Sequence, residues 1–178
     1  LITSHLTIYT HCHSTTVTET ISKAAKRNKV TVLNTETRPR YQGRTTAKEL
    51  AKNKVKVIHH VDSAMAEAME NADIVLIGAD AVTKNSFYNK IGTFTVCILA
   101  KHYRVPVYVC SSLWKYEKDK VKIEERSSKE IWEKPPKKVK VHNPAFDKIP
   151  LKYVHAFICE EGVLSPKAFI RKARKKVK

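Results

Sequence analysis

The stretch "THCHST", residues 10–15, places the thiol of Cys12 between two imidazoles at the end of a short apolar run. A structural zinc ion needs four convergent ligands, and neighbouring residues of a strand or loop point to different sides, so this triplet alone is a weak zinc motif. A small cysteine at a strand end is also an ordinary packing residue. The third interpretation is a reactive thiol, because Cys12 directly precedes a predicted helix whose free backbone amides would stabilise a thiolate. We favour the third.

The start of the same helix is also suited to bind an anion. Ser14, Thr15 and Thr16 supply hydroxyl groups beside the unpaired amides of the first helical turn. Backbone amides and hydroxyls in this arrangement form a phosphate cradle at many helix N-termini. The segment 12–16 therefore predicts either a reactive thiol, a phosphate site, or both together.

Asp80 is the second candidate for chemistry, because it ends the apolar run "ADIVLIGAD". Partial burial would raise the pKa of its carboxyl group and suit it to proton transfer, although a turn-capping role is the plain alternative. The segment "NKIGT" follows, with Asn89 and Lys90 just before a glycine that opens a predicted helix. An amide and an ammonium there favour phosphate binding, whereas an isolated lysine is more often a solvated surface residue.

A third polar cluster is "TETRPRYQGR", residues 35–44, which surrounds Pro39 with charged and amide side chains. Such a loop is either a binding loop or a turn whose charges are solvated. Its candidate residues are Glu36, Arg38, Arg40, Gln42 and Arg44.

These residues lie between segments of alternating hydrophobic period. Strands are predicted over 5–10, 29–34, 54–59, 72–80, 105–110 and 153–159, and helices over 14–28, 45–53, 63–71, 92–104 and 166–176. Strand–helix alternation indicates right-handed βαβ units, hence an α/β protein with a Rossmann-like parallel sheet flanked by helices on both faces, in a single domain over 1–178. Ligands of such sheets bind at the carboxyl ends of the strands, where the polar clusters at 11–13, 35–44, 59–63 and 78–82 would converge.

The chain has a net charge of +17, from 34 Lys and Arg against 17 Asp and Glu, which suggests that it could bind a polyanion such as nucleic acid. The lysines are spread along the chain, with clusters at 134–142 and 171–178 and a lysine-rich connection at 115–142, and no nucleic-acid-binding motif accompanies them. We therefore favour a solvated surface or attraction of small anions, and consider nucleic acid an unlikely partner.

Composition also argues against other classes of protein. No apolar run approaches the ~20 residues that cross a bilayer, and no signal peptide opens the chain. Four cysteines without CxxC spacing indicate reduced thiols, so we expect a cytoplasmic protein with no membrane partner. Phosphate-binding glycine patterns of the dinucleotide and Walker types are absent from the sequence, and we expect neither a cofactor nor a metal.

Several motifs in register resemble one enzyme family over about residues 5–166. The chain is similar to archaeal ribose-1,5-bisphosphate isomerase, in the family shared with methylthioribose-1-phosphate isomerase and the regulatory subunits of the initiation factor that exchanges guanine nucleotide. The motifs are "THCHST", "ETRPRYQGRTTAKELA", "VDSA", "IGADAVTKNSFYNKIGT", "NPAFDKIP" and "YVHAFICEEGVLSP".

The resemblance implies an aldose–ketose isomerase that converts ribose 1,5-bisphosphate to ribulose 1,5-bisphosphate. Cys12 and Asp80 match the catalytic pair, while Gln42, Asn89 and Lys90 match residues that contact the sugar phosphate, beside the phosphate cradle at Ser14. The alternative that the resemblance leaves open is a non-catalytic regulatory subunit like those of the initiation factor.

The family also implies assembly and shows where this chain departs from it. Its members form homo-oligomers, and its enzymes carry a helical N-terminal domain that has no counterpart in this sequence. The resemblance therefore leaves three alternatives: a fragment, a truncated gene product, or one half of a split enzyme. Of these we favour the last, with the N-terminal half supplied by a separate helical subunit. Ser112 stands where the family usually has an acid, and Phe87 and Tyr88 replace a small turn.

Overall fold

The computed structural model describes residues 2–118 and 121–177. Fifteen helices and strands make up its framework, apart from short 3₁₀ turns. In chain order they are β1 Leu6–Thr10, α1 Thr15–Ala25, β2 Val30–Thr35, α2 Gln42–Lys52, β3 Lys56–His60, α3 Met65–Glu70, β4 Ile74–Gly78, β5 Ala81–Val82, β6 Ser86–Lys90, α4 Thr93–His102, β7 Val107–Cys110, β8 Phe146–Pro150, β9 Ala156–Cys159, β10 Gly162–Leu164 and α5 Pro166–Lys176.

Seven strands form the central sheet in the order β10-β9-β7-β4-β1-β2-β3. All neighbouring pairs are parallel except β9 and β10, which form an antiparallel edge. The six predicted strands and five predicted helices are all present, and the predicted α/β, Rossmann-like fold is confirmed. The prediction missed β10, a short strand with no apolar alternation to mark it.

Residues that alternate along the strands divide the core between the two faces of the sheet. In β4, Ile74 and Leu76 pack with α1 and α2, whereas Val75 and Ile77 pack with α3, α4 and α5. Because both faces are covered, β4 is buried at all five positions. This explains why the run "IVLIG" is continuously apolar and does not alternate with polar residues.

Helix α5 shows how local sequence sets an element's start and its buried side. Its first residue is Pro166, and the hydroxyl of Ser165 accepts a hydrogen bond from the backbone N–H of Ala168 at 3.3 Å. Proline at the first position and a serine cap are typical of helix N-termini. The buried residues are Phe169, Ile170 and Ala173, at helical spacing. Within the described residues, no helix has the length and apolar character to cross a lipid bilayer.

A second, three-stranded antiparallel sheet of order β5-β6-β8 was not predicted. Strand β6 is buried at all five positions and so lacks the polar–apolar alternation of a typical surface strand. Its partner β8 lies more than fifty residues later, with Asn89 opposite Asp147 and Lys90 opposite Phe146. This pairing brings "NPAFDKIP" beside "NKIGT" and connects two motifs that are far apart in the sequence.

The pairing of β6 with β8 places the Asp147 carboxylate at the N-terminus of α4, where it caps the helix. Its Oδ2 accepts hydrogen bonds from the backbone N–H groups of Gly92 and Phe94, both at 2.9 Å. We expect Asp147→Ala to lower the free energy of unfolding by about 1–2 kcal/mol, since two helix-terminal donors lose their acceptor. Urea denaturation checks this, with the exposed neighbour Lys148→Ala as the matched control. Equal midpoints for the two variants would contradict the capping role.

Candidate active site

A cleft of about 420 Å³ opens at the carboxyl ends of β1 and β4. All six residues predicted to form a site line it, although they come from four separate segments of the sequence. Cys12 and Ser14 follow β1, Gln42 begins α2, Asp80 follows β4, and Asn89 and Lys90 end β6. The remaining lining residues are His13, Thr15, Thr16, Gly78, Ala79, Lys115, Arg126 and Phe146.

Cys12 is almost completely buried, with 5% of its surface exposed. Burial raises the pKa of its thiol to about 11, despite the opposing effects of a hydrogen bond from the His13 backbone and of the Lys90 ammonium. The expectation of a thiolate stabilised by the helix N-terminus is therefore wrong, because desolvation of Cys12 outweighs the nearby donors. At neutral pH the thiol keeps its proton.

Close approach of two backbone segments sets the floor of the cleft beside Ser14. Ser14 precedes α1 in an extended conformation, and its side chain makes no capping hydrogen bond. A Cβ atom on Gly78 would lie 2.8 Å from the Ser14 hydroxyl oxygen. Glycine in the "GAD" motif thus lets the end of β4 approach the start of α1, which places Asp80 and Cys12 on one cleft.

Asp80 is flanked by two ammonium groups. Partial burial raises the pKa of its carboxyl group, in the predicted direction, and the positive charges of Lys115 and Lys90 oppose this rise. Lys115 donates a hydrogen bond to the carbonyl oxygen of Ala79, the residue before Asp80. A partly desolvated carboxyl group between cations is suited to proton transfer next to an anionic ligand.

Sequence reasoning missed Lys115, which lies in a 3₁₀ turn at Leu113–Lys115 after β7. Its position shortly after a predicted strand could have identified it, because β7 is parallel to β1 and β4 and its carboxyl end lies at the same edge of the sheet. The polar clusters predicted to converge at this edge followed only the first four strands, and Ser112 was the one residue singled out after the fifth.

Asn89 and Lys90 reach the cleft through the second sheet. The amide of Asn89 donates to the Thr93 hydroxyl at 3.0 Å, so α4 fixes its orientation. The Lys90 ammonium lies 5.0 Å from the centre of the Phe146 ring, a cation–π distance. Lys90 is largely buried, which excludes the solvated-lysine interpretation for this residue.

Arg126 is the second residue that sequence reasoning missed. It belongs to the lysine-rich connection 115–142, where one more basic residue among many gave no sign of a site role. Its guanidinium is paired with the Glu130 carboxylate at 3.0 Å, and the Asn143 amide bonds the same carboxylate at 3.3 Å. The "ERSSKE" spacing, Arg and Glu four residues apart, was the available signal for this ordered turn.

The two histidines beside Cys12 face different partners. The Nε2–H of His11 donates to the Ile91 carbonyl at 2.9 Å, and burial lowers the pKa of this imidazole, so it is neutral. His13 contacts the Thr46 hydroxyl at 3.2 Å and lies 3.6 Å from Glu49. Within the described residues, no three His, Cys, Asp or Glu side chains are grouped so that they could hold a metal ion.

We expect Lys115→Met to raise the pKa of the Asp80 carboxyl group further, because the first of its two opposing positive charges is removed. The ¹³C NMR titration of side-chain carboxyl groups checks this, with Asp80→Asn used to assign the signal. Lys118→Met, which removes an exposed ammonium three residues later, should leave the titration unchanged. An unshifted Asp80 titration in Lys115→Met would mean that the ammonium does not act on this carboxyl group.

Comparison with known proteins places this arrangement in a family. Residues 1–166 match the initiation factor 2 subunit family. The ribose 1,5-bisphosphate isomerase of Pyrococcus furiosus is 39% identical over 175 residues, which are 92% of this chain and 54% of that protein. The methylthioribose-1-phosphate isomerase of Natranaerobius thermophilus is 40% identical over 145 residues, 74% of this chain and 42% of that protein. The chain spans about half the length of these curated relatives.

Solved structures agree with this placement. The translation initiation factor eIF-2B, subunit delta, from A. fulgidus superposes with a TM-score of 0.87 at 31% identity, covering 98% of this chain and 58% of that one. The 5-methylthioribose 1-phosphate isomerase from Pyrococcus horikoshii superposes with a TM-score of 0.84 at 28% identity, covering 98% and 56%. The resemblance read from the motifs is confirmed, and the chain belongs to the initiation factor 2 subunit family.

Proposed function

We propose that this cleft catalyses an aldose–ketose isomerisation, the conversion of ribose 1,5-bisphosphate to ribulose 1,5-bisphosphate. The observation that carries the proposal is the meeting of Cys12 and Asp80 in one cleft with three cationic side chains. These cations are Lys90, Lys115 and Arg126, whereas Asp80 is the only acid among the described residues that line the cleft. Its excess of positive charge suits a substrate with two phosphates. The ribose 1,5-bisphosphate isomerases at 39–40% identity support the same substrate class.

The reaction needs two groups that exchange protons. In ribose 1,5-bisphosphate the anomeric oxygen carries a phosphate, so no free aldehyde exists and the ring must be opened with proton transfer. A hydrogen then moves from C2 to C1, through an enediol-like intermediate or a hydride shift, and the product is an isomer with no atom gained or lost. The protonated Cys12 thiol can donate a proton, and the Asp80 carboxyl group, whose pKa is raised by partial burial, can exchange one more readily than an exposed carboxyl group.

The rest of the cleft would bind and orient the substrate. The free amides of the first turn of α1, with Ser14, Thr15 and Thr16, suit one phosphate. The ammonium groups of Lys90 and Lys115 suit the other, and the amides of Gln42 and Asn89 suit the sugar hydroxyls. None of these roles requires a metal or an organic cofactor.

Assembly and location belong to the same proposal. Since the curated relatives are about twice as long, we propose that turnover also requires the helical half found in them, in this chain or in a separate subunit, and that the protein works as a homo-oligomer. The cysteines at 12, 97, 110 and 159 are free thiols, which supports a cytoplasmic location.

The test is formation of ribulose 1,5-bisphosphate from ribose 1,5-bisphosphate, followed by ³¹P NMR, with and without an added N-terminal helical chain. Methylthioribose 1-phosphate is the competing substrate in parallel reactions. Turnover of the bisphosphate alone is the expected result. Preferential turnover of methylthioribose 1-phosphate would overturn the substrate assignment. Binding of the bisphosphate without turnover in any combination would favour the non-catalytic regulatory role.

A further inference from the structure

The backbone of Cys12 has an unusual conformation that its neighbours must maintain. Its φ angle is 65°, in the left-handed region that side chains other than glycine adopt only where surrounding contacts hold them. Both polar groups of its backbone are bound by buried threonine hydroxyls. The N–H donates to Thr37 Oγ1 at 3.1 Å, and the carbonyl oxygen accepts from Thr46 Oγ1 at 2.7 Å.

A second hydrogen bond fixes the direction of each hydroxyl. Thr37 Oγ1 is 3.4 Å from the Thr35 carbonyl, to which it donates, so a lone pair is left for the Cys12 N–H. Thr46 Oγ1 lies 3.2 Å from His13 Nδ1 and gives its own proton to the Cys12 carbonyl, so the imidazole must be the donor between them. The two threonines are 2% and 1% exposed, so water does not compete for these bonds.

The segments that carry the two threonines are themselves anchored away from Cys12. The Asp62 carboxylate accepts from the backbone N–H of Thr37 at 2.8 Å and of Arg38 at 2.7 Å. Thr46 lies on α2, four residues after Gln42. Neither threonine lines the cleft, so both act from behind Cys12.

We propose that Thr37 and Thr46 are positioning residues that hold Cys12 in its left-handed conformation and thereby direct its thiol into the cleft. Without either hydroxyl, one Cys12 backbone group is buried without a partner, and the favourable response is relaxation of φ to a negative value. Rotation about the N–Cα bond moves Cβ and the sulfur atom away from their present place. The proposal also assigns His13, the second histidine of the opening motif, as the group that orients the Thr46 hydroxyl.

The experiment measures alkylation of each cysteine by iodoacetamide at pH 8, with mass spectrometry of the separate peptides. Thr46→Val and Thr37→Val remove the hydroxyl and keep the shape of the side chain. Thr46→Ser restores the hydroxyl. Thr18→Val is the matched control, because Thr18 is buried and its hydroxyl donates to the Thr15 carbonyl at 3.1 Å, away from Cys12.

We expect Cys12 to be alkylated about tenfold faster or more in the two valine variants, because a thiol released from its buried position ionises more readily. Rates for the buried thiols Cys97 and Cys110 should stay unchanged. Thr46→Ser and Thr18→Val should match wild type. Equal Cys12 rates in Thr46→Val and Thr18→Val would overturn the proposal, as would parallel acceleration of Cys97 and Cys110, which would indicate general loosening of the fold.

The effect on catalysis should run in the opposite direction. The expected effect on catalysis rests on the proposed function. We expect kcat of Thr46→Val to fall about 10- to 100-fold with KM nearly unchanged, because the substrate contacts remain while the thiol is misplaced. A rise in KM with kcat unchanged would contradict it. If wild type itself does not turn over, the proposed function fails, and the alkylation rates still decide whether the threonines position Cys12.

Discussion

Cys12→Ser and Asp80→Asn should each lower kcat for the isomerisation by about 10³-fold, because general acid–base groups contribute roughly 10²–10⁴-fold each. Serine keeps the size of the side chain but gives up its proton far less readily than a thiol. Asparagine keeps the shape and hydrogen-bonding capacity of Asp80 but cannot exchange a proton. Both residues line the cleft and both substitutions keep the size of the side chain, so the variants should fold. Progress curves with ribose 1,5-bisphosphate measure the effect.

Controls separate loss of chemistry from general damage. Cys159→Ser changes a partly buried thiol on β9, and Asp73→Asn changes a carboxylate whose Oδ2 accepts from the Thr7 N–H at 2.7 Å, at the start of β1. Both should retain kcat within about twofold, since neither residue lines the cleft. If Cys12→Ser or Asp80→Asn kept kcat within tenfold of wild type, that residue would not transfer a proton in the rate-limiting step.

A catalytic pair of this type also sets the expected response of the double variant. Two groups that act on one proton-transfer sequence are not additive, so Cys12→Ser with Asp80→Asn should be little slower than the slower single variant. Multiplied effects would instead mean that the two residues act on independent steps.

Local pattern explains how much of the fold could be predicted. The apolar periodicity of the sequence predicts the continuous burial of β4 and the helical spacing of Val17 and Ile21. The short connections between alternating strands and helices then predict a parallel sheet. Pairing of β6 with β8 is different, because it joins segments separated by a long polar connection and neither strand alternates clearly. Such long-range pairing has no local signal.

The candidate site likewise contains residues that the sequence could predict and residues that it could not. Residues at the ends of strands, such as Cys12 and Asp80, were found because the carboxyl edge of a parallel sheet is a place that topology alone identifies. Arg126 was missed because it comes from an irregular segment that only the folded chain brings to the cleft. The protonation state of Cys12 was mispredicted because desolvation depends on three-dimensional burial, which the flanking sequence does not reveal.

The largest effect on stability should come from Gly43→Ala, where helix propensity predicts the wrong sign. Gly43 lies in the first turn of α2, and exchanging glycine for alanine within a helix usually stabilises by up to about 1 kcal/mol. Here a Cβ atom would lie 1.7 Å from the Thr35 carbonyl oxygen, a backbone atom at the end of β2 that cannot move aside. The segment is also fixed by the Asn34 amide, which donates to the Gly43 carbonyl at 2.7 Å.

We therefore expect Gly43→Ala to lower the free energy of unfolding by about 4 kcal/mol or more, measured by urea denaturation. Gly162→Ala is the informative control: its φ is 96°, but a new Cβ atom would meet nothing within 4 Å, so only backbone strain of roughly 1–2 kcal/mol remains. Because α2 carries both Gln42 and Thr46, a shift of α2 in Gly43→Ala protein that still folds should also break the hydrogen bond from the Thr46 hydroxyl to the Cys12 carbonyl. Unfolding free energies of Gly43→Ala equal to or above wild type would show that helix propensity, and not the contact with β2, decides this position.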